Sequence, residues 1–200
     1  MEKKDFIITF IVIFCLLTIS GCIEKKDDKK TGDDIDLSKI NLLKDDILQS
    51  GFQKLNEEHI TESYVVSEGK MFEGLLVEEK IEVYFLKSPA FIIQQSAELS
   101  SIEKGKTFLN RLKNTSTFPG EVNDWNFTTV SIKEIGDDSV LKQNKTTMEG
   151  EDTTINMLIF RINNIVNVIV TGSLPSDDIE TYGTIVENRI NQQISSSNIK

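Results

Sequence analysis

The sequence predicts an α+β fold, a mostly antiparallel sheet with a C-terminal strand meander, packed against two helices. Three observations carry this. Apolar residues alternate in short segments bounded by turn residues. Two long apolar runs, 153–162 and 165–171, meet at Asn163 and Asn164. A helical stripe then runs from Ile179 to Ile190.

Taken in order, Ile40, Leu42, Leu43, Ile47 and Leu48 form an apolar lead-in, strand-like or one helical turn, ended by Ser50 and Gly51. Segments 60–66 and 80–86 are rich in β-branched and aromatic residues. In the second, Ile81, Val83 and Phe85 alternate with Glu82, Tyr84 and Leu86, the period of a strand with one buried face. Residues 71–77 read as a strand between them, with turns at Gly69 and at Glu78-Glu79. Ser88-Pro89 then reads as a helix start, a capping serine before a proline at the first helical position. Ile92, Leu99, Ile102, Leu109 and Leu112 follow at helical spacing. Ala90, Ala97, Ser101 and Gly105 form a small-residue flank that lets the helix lie close on a sheet. Gly105 is a weak point, because glycine costs about 1 kcal/mol inside a helix.

Phe118-Pro119-Gly120 marks 114–123 as a loop. In 126–132, Phe127, Thr129 and Ser131 alternate with Thr128, Val130 and Ile132. Gly136-Asp137-Asp138-Ser139 is a turn, 140–148 a polar strand, and 149–152 another turn. The paired asparagines suit a tight hairpin, since asparagine tolerates positive φ. Pro175-Ser176-Asp177-Asp178 opens the last helix, with carboxylates at its positive end. Ile179, Tyr182, Ile185, Val186 and Ile190 line one face, and the chain frays beyond 195. An antiparallel sheet can leave one face wet. That face, or the gap beside the first helix, is the expected place for a ligand.

The N-terminus carries a different signal. Lys3 and Lys4 precede a 14-residue apolar run, 6–19, and Ile19-Ser20-Gly21-Cys22 follows. The charged, apolar, small order is that of an export signal. A spanning helix needs roughly 20 apolar residues. A cysteine directly after the small residues marks a lipid-attachment site. Cleavage before Cys22 would leave its sulfur to carry a diacylglyceryl group, and two acyl chains give stable anchoring. Cys15 would leave with the signal. The mature chain then has no thiol for a disulfide, a metal site or a nucleophile. The organisation expected is a signal at 1–21, a tether at 22–36, one domain at 37–195 and a frayed tail at 196–200. The tether is dense in charge and has little to bury.

The net charge of −10 disfavours nucleic acid and anionic headgroups. Catalytic sets are missing. His59 is the only histidine and lies among Glu57, Glu58 and Glu62, without the companions a metal site or a serine triad needs. Ser67-Glu68-Gly69-Lys70 matches a Ser-x-x-Lys string, but in a turn rather than at a helix start. Asp33, Asp34 and Asp36 lack calcium-loop spacing. No metal and no cofactor are expected.

Four residues are candidate ligand contacts. Arg161 interrupts an apolar strand, and a guanidinium fork suits a carboxylate or phosphate, or an internal ion pair. Asp137 and Asp138 could meet a cation, or simply shape their turn. Trp125, at the end of the long loop, could anchor a partner or close the core. Asn114, Asn126 and Asn144 each begin an Asn-x-Ser/Thr glycosylation pattern.

Ile135-Gly136-Asp137-Asp138-Ser139, Met157-Leu158-Ile159-Phe160-Arg161 and the strand from Asn164 through Val170 together resemble exported, lipid-anchored domains of unknown function in archaea and bacteria. The lead-in at 43–52 is similar too, and the resemblance covers about 42–190. More remotely, the layout is similar to PsbP-like domains, small α+β modules attached to larger membrane assemblies. Neither resemblance implies catalytic residues. High Ile, Lys, Asn and Asp content fits an AT-rich genome and an archaeal source.

The expectation is therefore a non-enzymatic binding or assembly module. It would be held by Cys22 on the outer face of the cytoplasmic membrane and would engage a protein partner. The alternative is an extracytoplasmic small-ligand or cation sensor.

Overall fold

A computed structural model describes residues 35–61, 64–66, 74–114, 126–148 and 150–197. Its strands are β1 (Gln53–Ile60), β2 (Tyr64–Val66), β3 (Leu75–Lys87), β4 (Ala90–Leu99), β5 (Thr128–Val130), β6 (Asp138–Met148), β7 (Glu151–Ile162) and β8 (Ile165–Gly172). Among the described residues, two α-helices, α1 (Ile102–Asn114) and α2 (Ser176–Ser197), accompany two short 3-10 turns, η1 (Leu37–Lys39) and η2 (Lys44–Asp46). Every strand pairing is antiparallel. The order across the sheet is β1-β3-β4-β8-β7-β6-β5, with β2 also on β3. The meander β5 to β8 is as the alternation predicts, and its last strand returns to pair with β4.

Side-chain alternation divides the core in two. On one face Ile81, Val83, Phe85, Ile92, Leu158, Phe160 and Ile169 meet Ile179, Tyr182, Val186 and Ile190 of α2. The lead-in adds Leu37, Ile40 and Leu42, all fully buried. On the other face Tyr84, Phe91, Ile93, Met157, Ile159, Val166 and Val170 meet Leu109 and Leu112 of α1. The helices thus lie on opposite faces, and neither face is wholly wet, contrary to the expectation of one open side.

Three element readings need correction. The helix read from Ser88-Pro89 is a hairpin turn followed by β4; the helix starts only at Ile102. β4 is buried on both faces, so apolar residues fill consecutive positions and the period of two disappears. Residues 75–77 of the strand read at 71–77 and all of 80–86 belong to one strand, β3, while 71–73 lie outside the described residues. The break expected at Glu78-Glu79 is a bulge, the register shifting between Val77 and Glu79. The run read at 60–66 is instead split between β1, which starts earlier, and β2. Both lie against the same edge of β3. β5 keeps only three residues of the alternating segment 126–132.

The strongest patterns do form as read. Asn163 takes φ +53° in the β7–β8 turn, and α2 buries Ile179, Tyr182, Val186 and Ile190. It runs to Ser197, two residues past the end expected. Contacts also reach into the tether. Ile35 is buried, and Asp36 N donates to Gln193 Oε1 at 2.9 Å while Gln193 Nε2 returns a bond to Asp36 O at 3.0 Å.

Candidate functional site

The Arg161 region is a clasp between two turns. Arg161 Nη1 donates to Asp137 Oδ2 at 2.8 Å and to Asn163 O at 2.6 Å. Asp137 Oδ2 also accepts from Asn163 N at 2.8 Å, and Asp137 N donates to Arg161 O at 2.8 Å. The Arg161 side chain is 8% exposed and that of Asp137 44%. Gly105 makes room for this. A Cβ there would stand 3.3 Å from Arg161 Cδ and 3.4 Å from Asn163 O. The small-residue flank does not form as read, since Ala90 and Ala97 lie on β4; Gly105 alone is on the helix, where it serves a close approach to the β7–β8 turn.

Asp138 is turned away and pairs with Lys113 at the end of α1. The two aspartates do not converge. Among the described residues no three His, Cys, Asp or Glu side chains gather where they could hold a metal ion. Trp125, Cys22, Ser67 and Lys70 lie outside the described residues. His59 sits on β1 with Nε2 2.6 Å from Glu79 Oε1. Of the glycosylation patterns, Asn114 and Asn126 are exposed and Asn144 is buried.

Two buried polar groups escape the sequence reading. Glu82, 1% exposed, accepts from Lys80, Tyr84 and Gln95 on the α1 face. Lys142, 2% exposed, donates to Leu112 O at 2.7 Å, a carbonyl in the last turn of α1 that has no partner within the helix. Burial pushes its ammonium below the usual lysine range. Period-two alternation placed Glu82 on a face but gave no sign that the face was covered.

A third missed feature is a set of apolar side chains left exposed on held backbone. Among the described residues, large apolar side chains stand about half exposed at Leu43, Leu48, Leu55 and Ile102. Three of these fall within 43–55, and local geometry explains each. Leu43 is extended (φ −102°, ψ 163°), so it faces outward where Leu42 faces in. Leu55 sits at a β1 bulge, where the register skips between Lys54 and Asn56. Leu48 follows η2, which is pinned from behind. Arg189 of α2 forks onto Asp46, Nη1 to Oδ2 at 2.8 Å and Nη2 to Oδ1 at 2.9 Å, and also donates to Asn41 O. Asp46 Oδ2 accepts from Leu43 N as well. Gln49 Nε2 donates to Asp178 Oδ2 at 2.9 Å. Beside this strap, Lys39, Arg189, Gln192, Gln193, Ser196 and Ser197 line an open polar groove of about 430 Å³.

The fold is thus one antiparallel sheet carrying a helix on each face, with a strapped N-terminal lead-in. The extracellular domain of PknH from Mycobacterium tuberculosis has a similar fold. It aligns with a TM-score of 0.54 over 78% of this chain and 94% of that one, at 12% identity. A putative uncharacterized protein from Mycobacterium smegmatis, a Rv0999 ortholog, aligns with a TM-score of 0.46 over 79% and 96%, at 14% identity. No family model matches the chain, and no curated protein does. No helix among the described residues is long and apolar enough to cross a membrane.

Proposed function

We propose that this chain is an extracytoplasmic module, anchored through lipid on Cys22, that binds or stabilises a protein partner and has no catalysis of its own. The exposed leucines carry the proposal. Leu43, Leu48 and Leu55 remain half exposed on backbone already fixed by the Arg189–Asp46 fork and the β1 pairing. Held in place, they lose little further entropy on binding, and large exposed apolar side chains supply contact area for a partner. The fold shared with an extracellular domain supports the location, and the signal anatomy of 1–22 supports the anchor. Because Asp137 and Asp138 engage different cations, the geometry favours this over a cation sensor. A small-ligand reading keeps one support, the groove beside Lys39 and Arg189.

The test is crosslinking in intact cells, with attached proteins identified for the natural chain, Cys22→Ser, and a Leu43→Ser/Leu48→Ser double variant. One dominant partner, lost in both variants, is the expected result. A partner retained by the double variant would move the interface elsewhere. No partner in any version, with a thermal shift on adding a small anion, would favour the groove.

A further inference from the structure

The three Asn-x-Ser/Thr patterns are equal in sequence and unequal in the fold. Asn144 lies on β6 between β5 and β7, 6% exposed, and its Nδ2 donates to Asn126 O at 2.8 Å. The nitrogen that glycosylation would modify is therefore buried and already bonded. Asn126 is exposed. Its pattern continues through Phe127, 7% exposed and packed in the α1-face core, to exposed Thr128, the first residue of β5. The buried Asn144 amide thus holds the backbone of Asn126 while the Asn126 side chain points to solvent.

The position has a second property. β5 is a three-residue edge strand, and no described strand pairs with its outer side. Open edges invite pairing between chains, and proteins blunt them with short strands, charges or cover. On β5 the described residues are Thr128, Thr129 and Val130, none of them charged. A bulky, hydrated group just ahead of β5 would cover that edge.

We infer that Asn126 is an N-glycosylation site whose glycan shields the β5 edge, and that Asn144 is never modified in the folded protein. The acceptor is the Nδ2 amide. One Nδ2–H is replaced by a bond to the anomeric carbon of the sugar. The glycosyl–phosphate bond of a lipid-phosphate-linked oligosaccharide breaks, the lipid phosphate leaves as an anion, and the amide proton passes to solvent. The inference rests on the extracytoplasmic reading above, because such donors are used on that side of the membrane.

The test is peptide mass spectrometry on the full chain purified from its own cells, covering the N-terminal peptide and the peptides of Asn126 and Asn144. The expected result is a glycan mass on Asn126 in most copies and none on Asn144. Thr128→Ala should abolish it and Thr128→Ser restore it, with thermal melting unchanged in both after enzymatic removal of sugar. The unglycosylated Thr128→Ala chain should also self-associate more readily at high concentration. A bare Asn126 on a chain beginning at lipidated Cys22 would overturn the glycan and leave export standing. A bare Asn126 on a chain that retains Met1 and fractionates with the cytosol would overturn both. A glycan found on Asn144 would overturn the assignment outright.

Discussion

At the scale of single residues, the clasp and one buried phenol give the sharpest expectations. Arg161 is buried, while Asp137 is nearly half exposed. Removing the aspartate strands a buried charge, whereas removing the arginine leaves a carboxylate that water can reach. Asp137→Ala should therefore cost about 3 kcal/mol and Arg161→Met about 2 kcal/mol, as read by urea unfolding. An equal or reversed order would refute the buried-charge account. Tyr182 is fully buried, with the Leu48 backbone beside its hydroxyl. Burial, with the Asp178 charge adding to it, pushes the phenol above its usual value. The folded state thus keeps a proton that the unfolded chain loses near pH 10. This contribution is complete below about pH 10 and falls away as pH rises towards the folded value. Tyr182→Phe should flatten the alkaline decline in denaturation midpoint; an unchanged decline would show that this phenol does not set it. The sequence offered Arg161 as an oddity within an apolar strand, and Asp137 within a turn. It could not pair them, because they stand 24 residues apart and meet only through the β6–β7 register.

At the scale of elements, legibility follows punctuation by turn and cap residues. β7, β8 and α2 were readable because each came with its own punctuation: Asn163-Asn164 between the strands, Pro175 and two aspartates before the helix. β4 was not. Ala90-Phe91-Ile92-Ile93 fills both faces of a covered strand, and its spacing to Leu99 and Leu109 imitates a helix. β3 was cut in two because Glu78-Glu79 looks like a turn in sequence but is accommodated as a bulge. How closely α2 approaches the sheet is itself set by one residue. At Gly183 a Cβ would stand 2.4 Å from Leu158 Cδ2 and 3.0 Å from Ile135 Cδ1. Leu158 is fully buried, so its tip has little room to retreat. Alanine adds about 1 kcal/mol of helix propensity over glycine, but overpacking costs about 1–3 kcal/mol. Gly183→Ala should therefore lower the melting temperature; a rise would show that α2 has slack over β7.

At the scale of the whole molecule, the lead-in fastens the N-terminal part of the described chain to the fold. Arg189 ties η2 and Asn41 to α2, so Arg189→Ala should cost about 2 kcal/mol and speed limited proteolysis within 35–52 before the sheet is cut. Slow cleavage there, with lowered global stability, would mean that the strap and the core open together. Cys22→Ser should move the protein from the membrane pellet to the soluble fraction; retention in the pellet would point to residues 6–19 as an uncleaved anchor. The strap also sets how the domain would respond to force. Tension on the chain ahead of Ile35 falls first on the Asp36–Gln193 pair, near the far end of α2. It passes to the Arg189 fork only after that pair opens, and to Gln49–Asp178 last. Between those contacts Leu37, Ile40 and Leu42 would have to leave the core, and Leu42 N would have to release Gln94 of β4. Load on the chain ahead of Ile35 is therefore borne by the α2-face core itself, and the lead-in holds until that apolar burial is given up.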